Sequence, residues 1–261
     1  MANIPFVKAT ACGNDFLLID FAHAPSNIFE FTKRICDRHN GVGADGVEWL
    51  LPSNDADIRV RLLNADGSEA EISGNGTRCV AAWYCAEHQC SSVVIRTGAG
   101  LKTCELQTRE DGTTFQFRSS MGEPEVGDDF SIKFSYGDIA GTPVSMGNPH
   151  FVVFVPEFEL GWQAIAEQIS KHHDFKHGMN VELVRADKQE SIDVRFWERG
   201  VGETSSSGTG SCAAAVAAIH RHGLSSPLRV HAPGGTQTVE WSDQVYLTGP
   251  ATLLCRGEFF I

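Results

Sequence analysis

Two serines in this chain stand where a proton could be moved. Ser73 heads "SGNGTRC" and Ser207 heads "SGTGSC". Each is followed by Gly-x-Gly (Gly74 and Gly76, then Gly208 and Gly210), a Cys and an Ala-containing run. Gly-x-Gly at a helix start turns N–H groups and a positive dipole end onto one spot, which suits an anion such as a carboxylate. A single copy is weak evidence, because such glycines also let strand and helix pack closely. Two copies, one in each half of a chain, can present two helix starts to one ligand in a cleft. Ser73 and Ser207 would then face that ligand from opposite sides. A pair of proton-handling groups on two faces of one carbon is what stereoinversion needs: one removes the α-hydrogen and the other returns one from behind. The held carboxylate takes up the charge that develops.

The elements that position these residues show the same doubling. Ser73 and Ser207 are 134 residues apart, and the same offset carries Glu69 to Glu203 and Gly13-Asn14 to Gly147-Asn148. Two separate motifs in one register indicate an internal duplication. "DFLLID", "IRVRLLN" and "SVVIRT" are short β-branched runs that predict strands, with "PHFVVFVP", "IDVRFWE" and "TVEWS" as later counterparts. After each Gly-x-Gly comes a helical stretch, and "GSCAAAVAAIHRHG" is apolar nearly all round, as in a buried helix. The expected fold is α+β: two pseudo-symmetric domains, each a barrel-like sheet around a central helix. Residues 1–120 form the first and 121–248 the second, joined through 119–128, with a last strand at about 249–261 that could return to the first.

The formal charge of −12, from 33 acidic and 21 basic residues, argues against a nucleic-acid or anionic-membrane surface. No run is apolar enough to span a bilayer as a helix, and "MANIPFVKATACGNDF" lacks the pattern of a secretory leader. Eight cysteines without a Cys-x-x-Cys pair suggest neither zinc nor a redox couple, and fit a reducing cytoplasm. No dinucleotide fingerprint stands in a strand–helix context. "HHDFKHGMN" holds three histidines, which are read as a solvated loop and not as a metal site.

With "GNDF", "CDRHNGVGADG", "NADGSEAE", "SGNGTRC", "GNPH", "ERGVGET" and "SGTG" in this order, the chain resembles the diaminopimelate epimerases over nearly its whole length. That resemblance implies a cytoplasmic, cofactor-independent isomerase of bacterial lysine and cell-wall precursor synthesis, often dimeric, acting on an amino dicarboxylate. It implies substrate contacts at Asn14, Asn64, Gly74, Asn75, Asn148, Asn180, Glu198, Arg199, Gly208 and Thr209, with His150 and Glu198 supporting proton transfer. The chemistry is apt: amides offer donors and acceptors to an ammonium–carboxylate pair, and a guanidinium grips a carboxylate twice. Bland roles compete. Asn14, Asn64 and Asn75 adjoin turn residues that favour Asn for backbone reasons, and His150 opens an apolar strand as a buried histidine would.

The resemblance also implies cysteine at both proton-transfer positions, where this chain has Ser73 and Ser207. A thiol at a helix start ionises near neutral pH, whereas a serine hydroxyl needs an adjacent base. Gly46 stands where a glutamine would be expected, and Ser205-Ser206 where Leu-Ala would. Cys79 and Cys212 lie inside their helices and read as core; Cys12 is close to Asn14 in sequence but has no opposed partner. Four readings fit: an epimerase whose cysteines were replaced, a slower or divergent amino-acid isomerase, a binding protein that keeps the carboxylate clamp, and a related isomerase or dehydratase using Glu198 or His150 as base.

Overall fold

A computed structural model describes residues 3–135 and 137–261; Met1 and Ala2, at the head of the stretch read as lacking a leader, lie outside them. The chain divides into Met1–Ser119 with Gly249–Ile261, and Ser120–Thr248.

The first unit contains β1 (Asn3–Ala11), β2 (Asn14–Asp20), α1 (Ile28–Cys36), β3 (Gly46–Leu51), β4 (Ile58–Asn64), β5 (Glu69–Ala70), α2 (Gly74–His88), β6 (Ser92–Thr97), β7 (Gly100–Arg109) and most of β8 (Thr114–Gly122). Hydrogen bonding runs β1–β2–β3–β4–β6–β7–β8, and the late part of β18 (Val245–Phe260) pairs with both β8 and β1. Eight strands thus close on themselves. The period-2 alternation of strands separates two apolar clusters. Val47 and Trp49 of β3 pack with Ile28, Phe31 and Ile35 of α1. Leu50, Leu18 and Leu62 face the other way, onto Cys79, Val80 and Ala82 of α2. That puts α2 inside the barrel, where small side chains keep the helix narrow enough to fit.

The second unit repeats this plan. It contains β9 (Glu125–Val126), β10 (Phe130–Phe134), β11 (Gly137–Ser145), β12 (Pro149–Phe154), α3 (Trp162–Ser170), β13 (Asn180–Arg185), β14 (Ser191–Glu198), β15 (Gly202–Thr204), α4 (Gly208–His222), β16 (Leu228–Ala232), β17 (Gly235–Trp241) and the start of β18. Pairing runs β11–β12–β13–β14–β16–β17–β18. Residues Cys212 to Ala218 of α4 are buried on every side, against Val152, Val184 and Phe196.

The offset of 134 holds through the structure: α2 maps onto α4 and β3 onto β13 without a slip. Both helices end on a left-handed residue at the same place, Gln89 (φ 52°) and Gly223 (φ 61°). Gly13 (φ 84°) and Gly147 (φ 88°) turn the chain ahead of Asn14 and Asn148. The stretch 119–128, read as a connection, contains the division between the units at Ser119/Ser120 and also carries the end of β8 and all of β9, which pairs with β11. Residues from Gly249 onward group with the first unit, where β18 runs antiparallel to β1 from Thr252 to Phe260. No helix among the described residues is long and apolar enough to cross a membrane.

Candidate active site

Ser73 is the N-cap of α2. Its backbone is extended (φ −122°, ψ 122°) and its Oγ accepts the Gly76 N–H at 3.1 Å. Ser207 does the same for α4, accepting the Gly210 N–H at 3.2 Å. Both serines therefore satisfy one orphan donor of the first turn, and the N–H groups of Gly74 and Gly208 remain outside the helical ladder. Gly74 has no atom within 4 Å of where a side chain would begin.

The second glycine of each motif has a different reason. A Cβ on Gly76 would collide with Glu48 Oε1, and one on Gly210 would lie 2.7 Å from Glu182 Oε1. Glu48 and Glu182 are again 134 apart, and each is 1% exposed. A buried carboxyl thus packs under each helix start, and only glycine leaves room for it. Sequence reasoning missed both glutamates, although the offset that related the serines relates them too.

In the first unit, Asn14 is held between two partners. Its Nδ2 donates to Asp45 Oδ2 at 3.2 Å and its Oδ1 accepts from Asn75 Nδ2 at 2.5 Å. Asn75 Oδ1 accepts in turn from Arg78, a guanidinium only 2% exposed that also reaches the Cys12 sulfur at 3.8 Å. Asp45 and Asp15 are tied by Arg38, and Lys8 lies 2.9 Å from Asp15. Burial works to raise the Asp15 carboxyl, but the Arg38 and Lys8 bonds outweigh it and hold it below the usual range. Asn64 ends β4 opposite Gly46 and donates to Ser68 Oγ at 3.0 Å.

In the second unit, Asn148 takes the position of Asn14 and Thr209 that of Asn75; Asn148 Nδ2 donates to Thr209 Oγ1 at 3.3 Å. His150, 1% exposed, lies between Asn148 Oδ1 (3.0 Å from Nε2) and Glu182 Oε1 (2.7 Å from Nδ1). Burial pushes the Glu182 carboxyl up, and His150 offsets part of that. Glu198 is raised as well, mainly by burial, while its Oε1 accepts from Thr204 at 2.6 Å. Asn180 sits across from His150 in the β12–β13 pairing and accepts the Arg199 N–H at 2.9 Å. The guanidinium of Arg199 donates to the His177 carbonyl at 3.1 Å. At the position matching His150 the first unit has Phe16, so Glu48 has no such partner.

Ser73, Gly74 and Asn75, and Ser207, Gly208 and Thr209, thus form the helix starts; Asn14 bonds to the first and Asn148 to the second, while Asn64, Asn180, Glu198 and Arg199 bond to other groups. Cys79 and Cys212 are fully buried in the helices, and burial pushes the Cys79 thiol up, away from reactivity. The histidine loop is not wholly solvated. His172 is buried, its Nε2 3.2 Å from the Lys133 carbonyl, and the ligand atoms of His172, His173 and Asp174 lie within 4.8 Å of one another.

Two units related by duplication, each a sheet around a buried helix that starts at a capped Gly-x-Gly, make a fold shared with solved structures that include a probable proline racemase. By TM-score the chain is similar to a phenazine biosynthesis protein of the PhzF family from Bacillus anthracis (0.72, 17% identity, 100% of both chains). It is also similar to a probable proline racemase from Agrobacterium radiobacter with bound carbonate (0.71, 17% identity, 99% of this chain and 93% of that one). In sequence it is 38% identical to the diaminopimelate epimerase of Desulfitobacterium hafniense over 96% of each chain. Residues 6–126 and 142–254 match the diaminopimelate epimerase family, and the chain belongs to that family.

Proposed function

We propose that the chain inverts the α-carbon of an amino dicarboxylate, interconverting LL- and meso-diaminopimelate by two-sided proton transfer without a cofactor. The observation that carries this reading is the repeated capped helix start: Ser73 and Ser207 each offer an Oγ beside a first-turn N–H, in equivalent positions of a duplicated chain. One serine oxygen, its own proton passed to a neighbouring base, takes the α-hydrogen while the other serine gives its proton to the opposite face. Gly74, Gly208, Asn75 and Thr209 supply the helix starts that hold the substrate α-carboxylate. Asn14, Asn64, Asn148, Asn180 and Arg199 orient the ammonium and the distal carboxylate, and His150 and Glu198 supply and store protons beside Ser207. Turnover is slow, because a serine hydroxyl is a far weaker acid than a thiol. The units act as two domains of a cytoplasmic homodimer.

Exchange of the substrate α-hydrogen in deuterated water, followed by NMR, tests the reading. Slow exchange with inversion, accelerated by Ser73→Cys with Ser207→Cys, is expected. No exchange in any form, while diaminopimelate still raises the melting temperature, would favour a binding protein. Exchange of another amino acid but not of diaminopimelate would favour a divergent racemase.

A further inference from the structure

We propose that Glu48 is the proton acceptor that serves Ser73, a carboxyl packed on Gly76 beside the serine and acting on substrate only through it. Three observations carry this, and it rests on the reading of Ser73 as a proton-transfer residue. First, Glu48 Oε1 occupies the place of a Gly76 Cβ, which itself lies 3.2 Å from Ser73 Cβ, so the carboxyl packs on the same residue whose N–H the serine caps. Second, Glu48 is 1% exposed and its Oε2 has no hydrogen-bond partner. A buried unpaired carboxyl oxygen is costly and calls for a role. Third, a serine that moves protons needs a base, and the first unit places Phe16 where the second has His150.

The surroundings leave Glu48 as the base at hand. Its neighbours on β2 and β4 are Leu18 and Leu62, and on α2 the group coupled to it is the Cys79 thiol. Arg78 is turned onto Asn75, the Cys12 sulfur and the Pro250 carbonyl. Burial lifts the carboxyl to about 8, so it exchanges its proton near neutral pH. In the step, the Ser73 O–H bond breaks and its proton passes to a Glu48 oxygen. The released oxygen pair bonds the substrate α-hydrogen, and the C–H electron pair stays on carbon. Ser73 ends neutral and Glu48 protonated; the reverse step restores both.

The test has one arm that needs no substrate. In a Ser73→Cys variant, the introduced thiol is alkylated with iodoacetamide across pH and its peptide quantified by mass spectrometry. Adding Glu48→Gln is expected to lower the alkylation midpoint by roughly one pH unit, because an adjacent carboxylate opposes thiolate formation. Glu48→Asp, which keeps the charge but draws it back, is expected to fall between and serves if the glutamine variant folds poorly. The thiol introduced by Ser207→Cys should be unaffected by either change. A midpoint that does not move in any Glu48 variant overturns the proposal. In the second arm, Glu48→Gln with serine at position 73 is expected to slow α-hydrogen exchange by about 100-fold, and by less than about 10-fold with Ser73→Cys. Equal losses in both backgrounds mean a structural role and also overturn it. A shifted midpoint without exchange of diaminopimelate in any variant supports the pairing and rejects the proposed reaction instead.

Discussion

Ser73 Oγ accepts the Gly76 N–H at 3.1 Å, so the oxygen assigned to proton transfer is also the cap of a buried helix. Serine is among the best N-caps, whereas sulfur is a weak acceptor. At both equivalent positions this chain therefore favours the scaffold over the reactivity of the residue.

Removing the caps should show the scaffold side. Ser73→Ala and Ser207→Ala are each expected to cost about 1 kcal/mol in urea unfolding, with unchanged m-values. A loss below a few tenths of a kcal/mol at both sites would mean that the caps do not matter.

Exchanging both serines for cysteine should show the other side. At a helix start a thiol ionises near neutral pH, so α-hydrogen exchange should rise by about 100-fold or more while stability falls slightly. Both changes can be read on one preparation, by NMR in deuterated water and by urea titration.

The offset of 134 made the duplication, the two helices and most strands legible from the sequence. It also pairs much of the candidate site: Asn14 with Asn148, Asn64 with Glu198, Gly74 with Gly208 and Asn75 with Thr209. What stayed hidden follows from burial. Glu48 and Glu182 sit in strand runs where a lone acid reads as solvent-facing, and only the barrel shows that they point at a helix. Arg78 looks like a surface residue of α2, yet a helix inside a barrel has no outer face, so its guanidinium is 2% exposed. The units do divide within 119–128, at Ser119/Ser120, but the Gly and Pro residues there hid strand pairing that depends on distant partners.

The two glycines of one motif should respond differently to the same change. Gly74→Ala meets open space and is expected to be nearly neutral for stability. Gly76→Ala drives a methyl into Glu48 and should cost roughly 1–3 kcal/mol, as overpacking does. Adding Glu48→Ala should recover much of that loss; absence of recovery would show that the collision is not its cause.

Glu48 should make stability depend on pH in an unusual direction. Burial raises its carboxyl from 4.5 to about 8, so the folded state binds the proton more tightly than the unfolded one. Its contribution is fully favourable below about pH 4.5 and is lost as pH rises towards 8. Glu48→Gln should therefore match the parent near pH 4 and be more stable at pH 9. Urea titrations at both pH values check this, and a gap largest at the acid end would contradict it.

His150→Phe copies the first unit's arrangement into the second. It leaves Glu182 buried without its partner and is expected to destabilise by about 3 kcal/mol at neutral pH, less in acid where Glu182 is protonated. Phe16→His, the reverse change, should give Glu48 a partner and remove part of the pH dependence described above.

The contrast between Phe16 and His150 also bears on kinetics. A reversible inversion has an equilibrium constant set by the two stereoisomers alone, so unlike proton stores cannot favour one product. They can only fix which protonation form of the resting protein waits between turnovers, and hence which isomer meets a ready partner. For this chain kcat and KM are expected to differ between directions, while the ratio of the two kcat/KM values stays at the equilibrium constant. On the proposed function, a duplicated scaffold with mismatched halves would work as a reversible machine with a preferred idling position.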